Sequence, residues 1–176
     1  MVKEVARQVE IPEGVEVELK DFTLTVKGPL GQASRKLWFP GIEITRDEAH
    51  LIVNSNVDRK RQRAMTGTLA AHIANMIEGV TKGFEYRMKI VYSHFPIQLK
   101  TTADEVTISN FLGERRPRSA KIVGGTKVEV AKDEVVVKGI NKENVGQTMA
   151  NIEQATRVKG FDVRVFQDGI YLVEKR

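Results

Sequence analysis

The sequence contains no cysteine, which removes disulfide frameworks, thiolate metal sites and cysteine nucleophiles together. Histidine is scarce. His50, His72 and His94 are the only three. They fall in different segments, and none stands at the His-X-X-X-His spacing of a helical zinc site. Aromatic residues make up 6% of the 176 positions. No stretch interleaves them with cations as an RNA-recognition-motif sheet does, so base-specific reading of a single strand is not expected. No run approaches the roughly 18 apolar residues of a membrane span, and the opening Met1-Val-Lys-Glu-Val-Ala-Arg7 has no apolar core of signal-peptide length. A soluble, unexported protein in a reducing compartment is expected.

Catalytic signatures are also missing. Gly28-Pro-Leu-Gly31 sits between predicted strands and Val123-Gly-Gly-Thr-Lys127 lacks the following helix, so both read as turns rather than phosphate cradles. The acidic pairs Asp47-Glu48, Asp104-Glu105 and Asp133-Glu134 occupy turn positions, where solvated charge is the ordinary state. His72 lies beside the apolar stripe of a predicted helix and reads as a partly buried structural histidine, while His94 is expected at a joint between domains. No catalytic residue, metal site or cofactor is expected.

What the chain does contain is an internal repeat. Val80-Thr-Lys-Gly-Phe-Glu-Tyr-Arg-Met88 recurs as Arg157-Val-Lys-Gly-Phe-Asp-Val-Arg-Val165. Leu24-Thr-Val26 and Leu30-Gly31 match Val106-Thr-Ile108 and Leu112-Gly113, and Arg46-Asp-Glu48 matches Lys132-Asp-Glu134. Three matches in the same order indicate a duplicated domain. The expected division is 1–92 and 93–176, with the join near Tyr92 to Phe95.

Each half reads as an α+β unit, a small antiparallel sheet arrangement packed with one helix around a single core. In the first, Val15/Val17/Leu19, Phe22/Leu24/Val26, Ile42/Ile44 and Leu51/Val53 alternate as half-buried strands do. Met65, Leu69, Ile73, Met76 and Ile77 then form a helical stripe, with Asp58 expected as N-cap and Gly79 as C-cap. In the second, Val106/Ile108, Val128/Val130 and Val135/Val137 precede a helix opened by Asn141, with Val145, Met149, Ile152 and Thr156 facing its core. A closing hairpin of Phe161/Val163/Val165 and Ile170/Leu172 is expected to turn at Gln167-Asp168-Gly169.

Lysine and arginine total 28 against 23 acids, for a sequence pI near 9.5, a balance that leans toward a polyanion. The cations cluster. Arg115, Arg116, Arg118 and Lys121, in Asn110-Phe-Leu-Gly-Glu-Arg-Arg-Pro-Arg-Ser-Ala-Lys121, outnumber Glu114, and Pro117 argues for an exposed arm or edge. Guanidinium forks suit phosphate oxygens, and Gly113 permits close backbone approach. Phe111 reads as an apolar plug beneath the loop. Arg157, Lys159, Lys175 and Arg176 form a further group. Arg59, Lys60, Arg61 and Arg63 place four cations where the helix macrodipole disfavours them, a secondary candidate for RNA or protein contact. The expected mode is clamping of folded RNA through phosphates and 2′-hydroxyls.

Taken in order, Leu24-Thr-Val-Lys-Gly-Pro-Leu-Gly31, Asn75-Met-Ile-Glu-Gly-Val-Thr-Lys-Gly-Phe84, Tyr92-Ser-His-Phe-Pro-Ile97, Asn110-Phe-Leu-Gly-Glu114 and Asp168-Gly-Ile-Tyr171 resemble the large-subunit ribosomal protein six family over nearly the whole chain. The Asn-Phe-Leu-Gly-Glu segment is similar to the archaeal and eukaryotic branch. The Pro-Tyr-Lys-Gly-Lys-Gly motif usual in bacterial members is absent. The resemblance implies a cytoplasmic, ribosome-bound structural protein without catalysis or small-molecule substrate, and no membrane partner. It also implies contact with large-subunit rRNA near the sarcin–ricin loop, with neighbouring ribosomal proteins, and transiently with translational GTPases. Asn110 and Gly113, in the same loop stretch as the arginines, are expected to join the cationic residues of the second half as rRNA contacts. The alternatives are a non-ribosomal RNA-binding module or assembly chaperone of the same fold, and a phosphodiesterase using His50 or His94.

Overall fold

A computed structural model describes residues 5–47, 49–57 and 59–176. The elements in chain order are β1 (Val5–Glu10), β2 (Glu16–Lys20), β3 (Thr23–Gly28), β4 (Gly31–Lys36), β5 (Ile42–Asp47), β6 (His50–Ser55) and α1 (Lys60–Thr81). There follow β7 (Phe84–Val91), β8 (Gln98–Thr101), β9 (Glu105–Ser109), a 3-10 turn (Phe111–Gly113), β10 (Arg118–Lys121), β11 (Lys127–Val130), β12 (Glu134–Gly139), α2 (Lys142–Ala155) and β13 (Gly169–Lys175). Two compact units result, Met1–Gly83 and Phe84–Arg176. The division thus falls after Gly83, nine residues before the join that the repeat suggests. The reason is pairing: β7 hydrogen-bonds to both β12 and β13, so its apolar face belongs to the second core.

The first unit holds two three-stranded antiparallel sheets, β1-β6-β5 and β2-β3-β4, with α1. The period-two pattern places Leu24, Val26, Leu51 and Val53 inward with no exposed surface, and Ile73 and Val80 of the helix meet the same core. Gly28-Pro-Leu-Gly31 is the β3–β4 turn, and it closes onto the helix end. Leu30 N–H donates to Val80 O at 3.0 Å, and a Cβ on Gly28 would stand 2.8 Å from that carbonyl oxygen. Glycine is required by this approach. Gly79, expected as the C-cap, is buried inside α1. The helix ends instead at Lys82, and Gly83 takes the left-handed conformation at φ +77°. Asp58 and Glu48 lie outside the described residues.

The second unit has a three-stranded sheet, β10-β9-β8, and a four-stranded sheet, β11-β12-β7-β13. Its core contains Met88, Val106, Ile108, Val135, Val137, Val145, Ile152 and Ile170, with Phe111 as the plug. Asn141 caps α2 by accepting from Glu143 N at 2.9 Å and Asn144 N at 3.4 Å. Thr156 is buried as the stripe implies, and its hydroxyl accepts from Ile170 N at 3.1 Å.

The expected closing hairpin does not form. Residues 157–168 are a loop, because Asp162 organises a local turn: its side chain accepts from Arg164 N at 2.9 Å and its carbonyl accepts from Phe166 N at 2.9 Å. β13 alone joins the sheet, at an edge beside β7. Its register slips between Leu172 and Glu174, leaving Val173 bulged and 67% exposed.

Ile152→Ala is expected to destabilise the second unit by roughly 2–5 kcal/mol through the cavity it leaves, read as a lower urea midpoint. Val173→Ala, on the exposed bulge, is expected to stay within about 0.5 kcal/mol of the parent.

Candidate nucleic-acid interface

Three segments of the second unit come together: 92–96, the loop 110–117, and the loop 157–168. The first two meet through Asn110 and Gly113. Asn110 adopts φ 60° and its side-chain amide donates to Pro96 O at 3.1 Å. Leu112 and Gly113 are also left-handed, at φ 50° and 75°. The left-handed region is tolerable for asparagine and glycine but costly for leucine, so the surrounding contacts must hold this backbone in place. Gly113 lies beneath Phe95, where an added Cβ would stand 3.2 Å from the ring. Asn110 and Gly113 therefore shape the loop from within.

Arg118 joins the loop to the end of α2. Its Nε donates to Glu114 Oε2 at 2.8 Å and its Nη2 to Glu114 Oε1 at 2.5 Å. Its Nη1 donates to Ala155 O, a carbonyl that the end of α2 leaves without an intrahelical partner, at 2.9 Å, and to Arg157 O, two residues beyond the helix, at 3.0 Å. The guanidinium carbon stands 4.4 Å from the centroid of the Phe111 ring, and the side chain is only 20% exposed. Expected as a phosphate anchor, Arg118 is instead engaged on every guanidinium nitrogen. The hydrogen bond from Arg118, then its charge, outweighs burial and holds the Glu114 carboxyl below the ordinary glutamate value.

This clamp leaves Arg115 and Arg116 exposed at the loop tip. The second loop, reached by Arg118 at Arg157 O, presents Arg157, Lys159 and Arg164, all exposed. Arg164 was missed because the repeat made it look like a strand residue. Its counterpart Arg87 does lie on a strand, paired with Glu85 at 2.8 Å. The second loop is anchored from below. Asp168, 1% exposed, accepts from Ser93 N at 3.2 Å, and its other carboxylate oxygen is 3.6 Å from His94 Nδ1. The His94 ring packs on Phe166 at 4.7 Å, and Phe166 on Phe161 at 4.8 Å. His94, expected at a domain joint, thus lies wholly within contacts of the second unit.

Other expected contacts lie elsewhere. Lys121 is exposed at the far end of β10, facing Glu105 across the ladder. Lys175 and Arg176 are six and seven residues beyond Gly169, at the opposite end of β13. There Lys175 Nζ stands 5.5 Å from the Tyr86 ring and Arg176 pairs with Glu174 at 2.7 Å. In the first unit, Arg59, Lys60, Arg61 and Arg63 open α1, whose first turn carries no acid, and Arg61 lies 5.3 Å over the Phe39 ring. His72 is half-buried and His50 exposed on β6. Among the described residues, no group of three or more His, Asp and Glu side chains is placed to hold a metal ion.

Comparison with known proteins bears on both halves of the chain. A family model described as ribosomal protein L6 matches residues 11–83 and 95–169, one segment in each unit. The chain is 62% identical over 176 residues to the large ribosomal subunit protein uL6 of Methanothrix thermoacetophila, covering 100% of both. It is 56% identical to the protein of the same name from Methanosarcina mazei, over 99% of each chain. Against that of Methanobrevibacter smithii it is 57% identical, over 97% of this chain and 96% of the relative.

The depressed Glu114 carboxyl has a pH signature. Its stabilising contribution is present above the ordinary glutamate value and disappears as pH falls through the lower folded value. Glu114→Gln should therefore lower the urea midpoint at neutral pH, with the difference from the parent shrinking in acid. A difference that stays constant across that range would detach Glu114 from the clamp.

Proposed function

The chain belongs to the ribosomal protein L6 family, and from that premise we propose that it is a structural component of the large ribosomal subunit that binds rRNA through the two cationic loops of its second unit. The observation that carries the interface is convergence: Arg115 and Arg116 on one loop, and Arg157, Lys159 and Arg164 on the other, are exposed on segments bridged by Arg118. Five cations presented by ordered backbone suit the phosphates of pre-folded RNA, whose backbone geometry varies little with sequence. Arginine at four of the five adds forked, two-point contact with phosphate oxygens.

The finer placement follows the family resemblance. The loop face would lie near the sarcin–ricin loop and the site where translational GTPases dock, holding RNA helices in the arrangement those factors meet. Neighbouring ribosomal proteins are its other partners, the ribosome in the cytoplasm is its location, and no reaction is assigned to it. Lys121, Lys175 and Arg176 lie away from the loops, and the α1 cations belong to the first unit. Their contacts would be made with other RNA segments or with protein.

Affinity for a duplex-rich large-subunit rRNA fragment should fall with salt, with a log–log slope of roughly −0.9 per phosphate contacted, by analogy with duplex DNA. Arg115→Ala/Arg116→Ala should reduce the steepness of that slope by about 2, and an unchanged slope would remove this loop from the interface. Arg118→Lys tests the clamp separately, because it preserves charge and loses the fork. It is expected to lower the urea midpoint as well as weaken RNA binding, a stability loss that substitution of the exposed Arg115 should not produce.

A further inference from the structure

The first unit holds aromatic side chains that its own core does not use. Phe22 is 58% exposed and Trp38 56% exposed. They belong to one end of the β2-β3-β4 sheet, since Leu37 N–H donates to Phe22 O at 2.7 Å and Trp38 is the next residue. The turn that carries Phe22 is strained. Asp21 and Phe22 form the two-residue connection between β2 and β3, at φ 47° and 61°, where asparagine and glycine are the residues that fit without cost. A bulky residue in the left-handed region carries a steric cost. Here that cost holds an aromatic ring largely in solvent.

The charge around these rings is mainly positive. Lys20 and Lys36 both pair with Thr23 from opposite sides, so they flank it on the outer face, and both are exposed. Arg61 lies over Phe39, the residue after Trp38, and Arg59 and Lys60 adjoin it. Asp21 is the acid in the turn itself. Exposed rings bordered by cations match the requirements of an unpaired nucleotide, a base for the ring face and phosphates for the cations. Lysine, which is depleted in protein–protein interfaces, favours this partner over a protein.

We propose that the sheet end bearing Phe22, Trp38, Lys20 and Lys36 is a second RNA-contact surface, one that stacks an unpaired base of a single-stranded segment. It shares with the ribosomal reading only the choice of RNA as the polyanion, and it uses a different unit of the chain. Trp38 is the only tryptophan, so its fluorescence reports this surface alone. Titrating the full chain with a single-stranded oligoadenylate should quench that fluorescence. Phe22→Gly relieves the left-handed strain and should fold at least as stably as the parent, while weakening the quenching midpoint by about tenfold. Lys20→Gln/Lys36→Gln should weaken it and flatten its salt dependence.

Arg115→Ala/Arg116→Ala should leave the quenching unaltered, so failure of the loop interface and failure of this surface are separable. Absence of quenching at saturating oligonucleotide would overturn the proposal. So would quenching that vanishes with the second-unit arginines, or equal quenching by polyglutamate, which would make the partner an acidic protein.

Discussion

The guanidinium of Arg118 ties together three parts of the second unit that have no backbone ladder between them. One side rests on Phe111, whose ring is sealed in the core. Its nitrogens reach Glu114 in the preceding loop and the carbonyls of Ala155 and Arg157 at the end of α2. The cationic loop tips derive their spacing from this contact. Arg115 and Arg116 directly follow Glu114, and Arg157 is held by its own carbonyl. The least exposed arginine of the cluster thus orders its more exposed neighbours, since a fork-shaped, permanently charged group can satisfy a carboxylate and two carbonyls at once.

The strands and helices were legible where periodicity was long. Alternation at Leu24/Val26, Leu51/Val53 and Val135/Val137 and the stripe through Leu69, Ile73 and Ile77 mark the buried faces, because burial on one side is what those spacings record. Asn141 was legible as a cap for a local reason. The loop cluster was legible as composition but not as roles. Sequence shows four cations in a row of twelve residues and cannot show that Arg118, with alternate neighbours facing inward on β10, turns toward Phe111 and α2. Gly113 and Asn110 were singled out, yet their part in seating Phe95 and Pro96 depends on a segment fourteen or more residues away.

The repeat gave the duplication and also the main error. Lys82-Gly-Phe-Glu-Tyr-Arg87 and Lys159-Gly-Phe-Asp-Val-Arg164 share a left-handed glycine, at φ 77° and 79°, and then diverge. The first enters β7 between two partner strands. The second meets no such partner, and Asp162 turns it back on itself. Near-identical hexapeptides adopt a central strand in one setting and a loop in the other, so tertiary pairing overrides local preference. The same divergence moves the boundary between units to Gly83 and frees Arg164 for the surface.

The bulge at Val173 has a consequence for the chain before it reaches any partner. β13 is a seven-residue edge whose outward groups would otherwise invite another chain to extend the sheet. With one residue out of step, the two halves of that edge are offset, and a straight incoming strand matches only one of them. A newly made copy waiting for assembly is thereby guarded against self-association along its last strand, despite the exposed Tyr171 and Val173 side chains there.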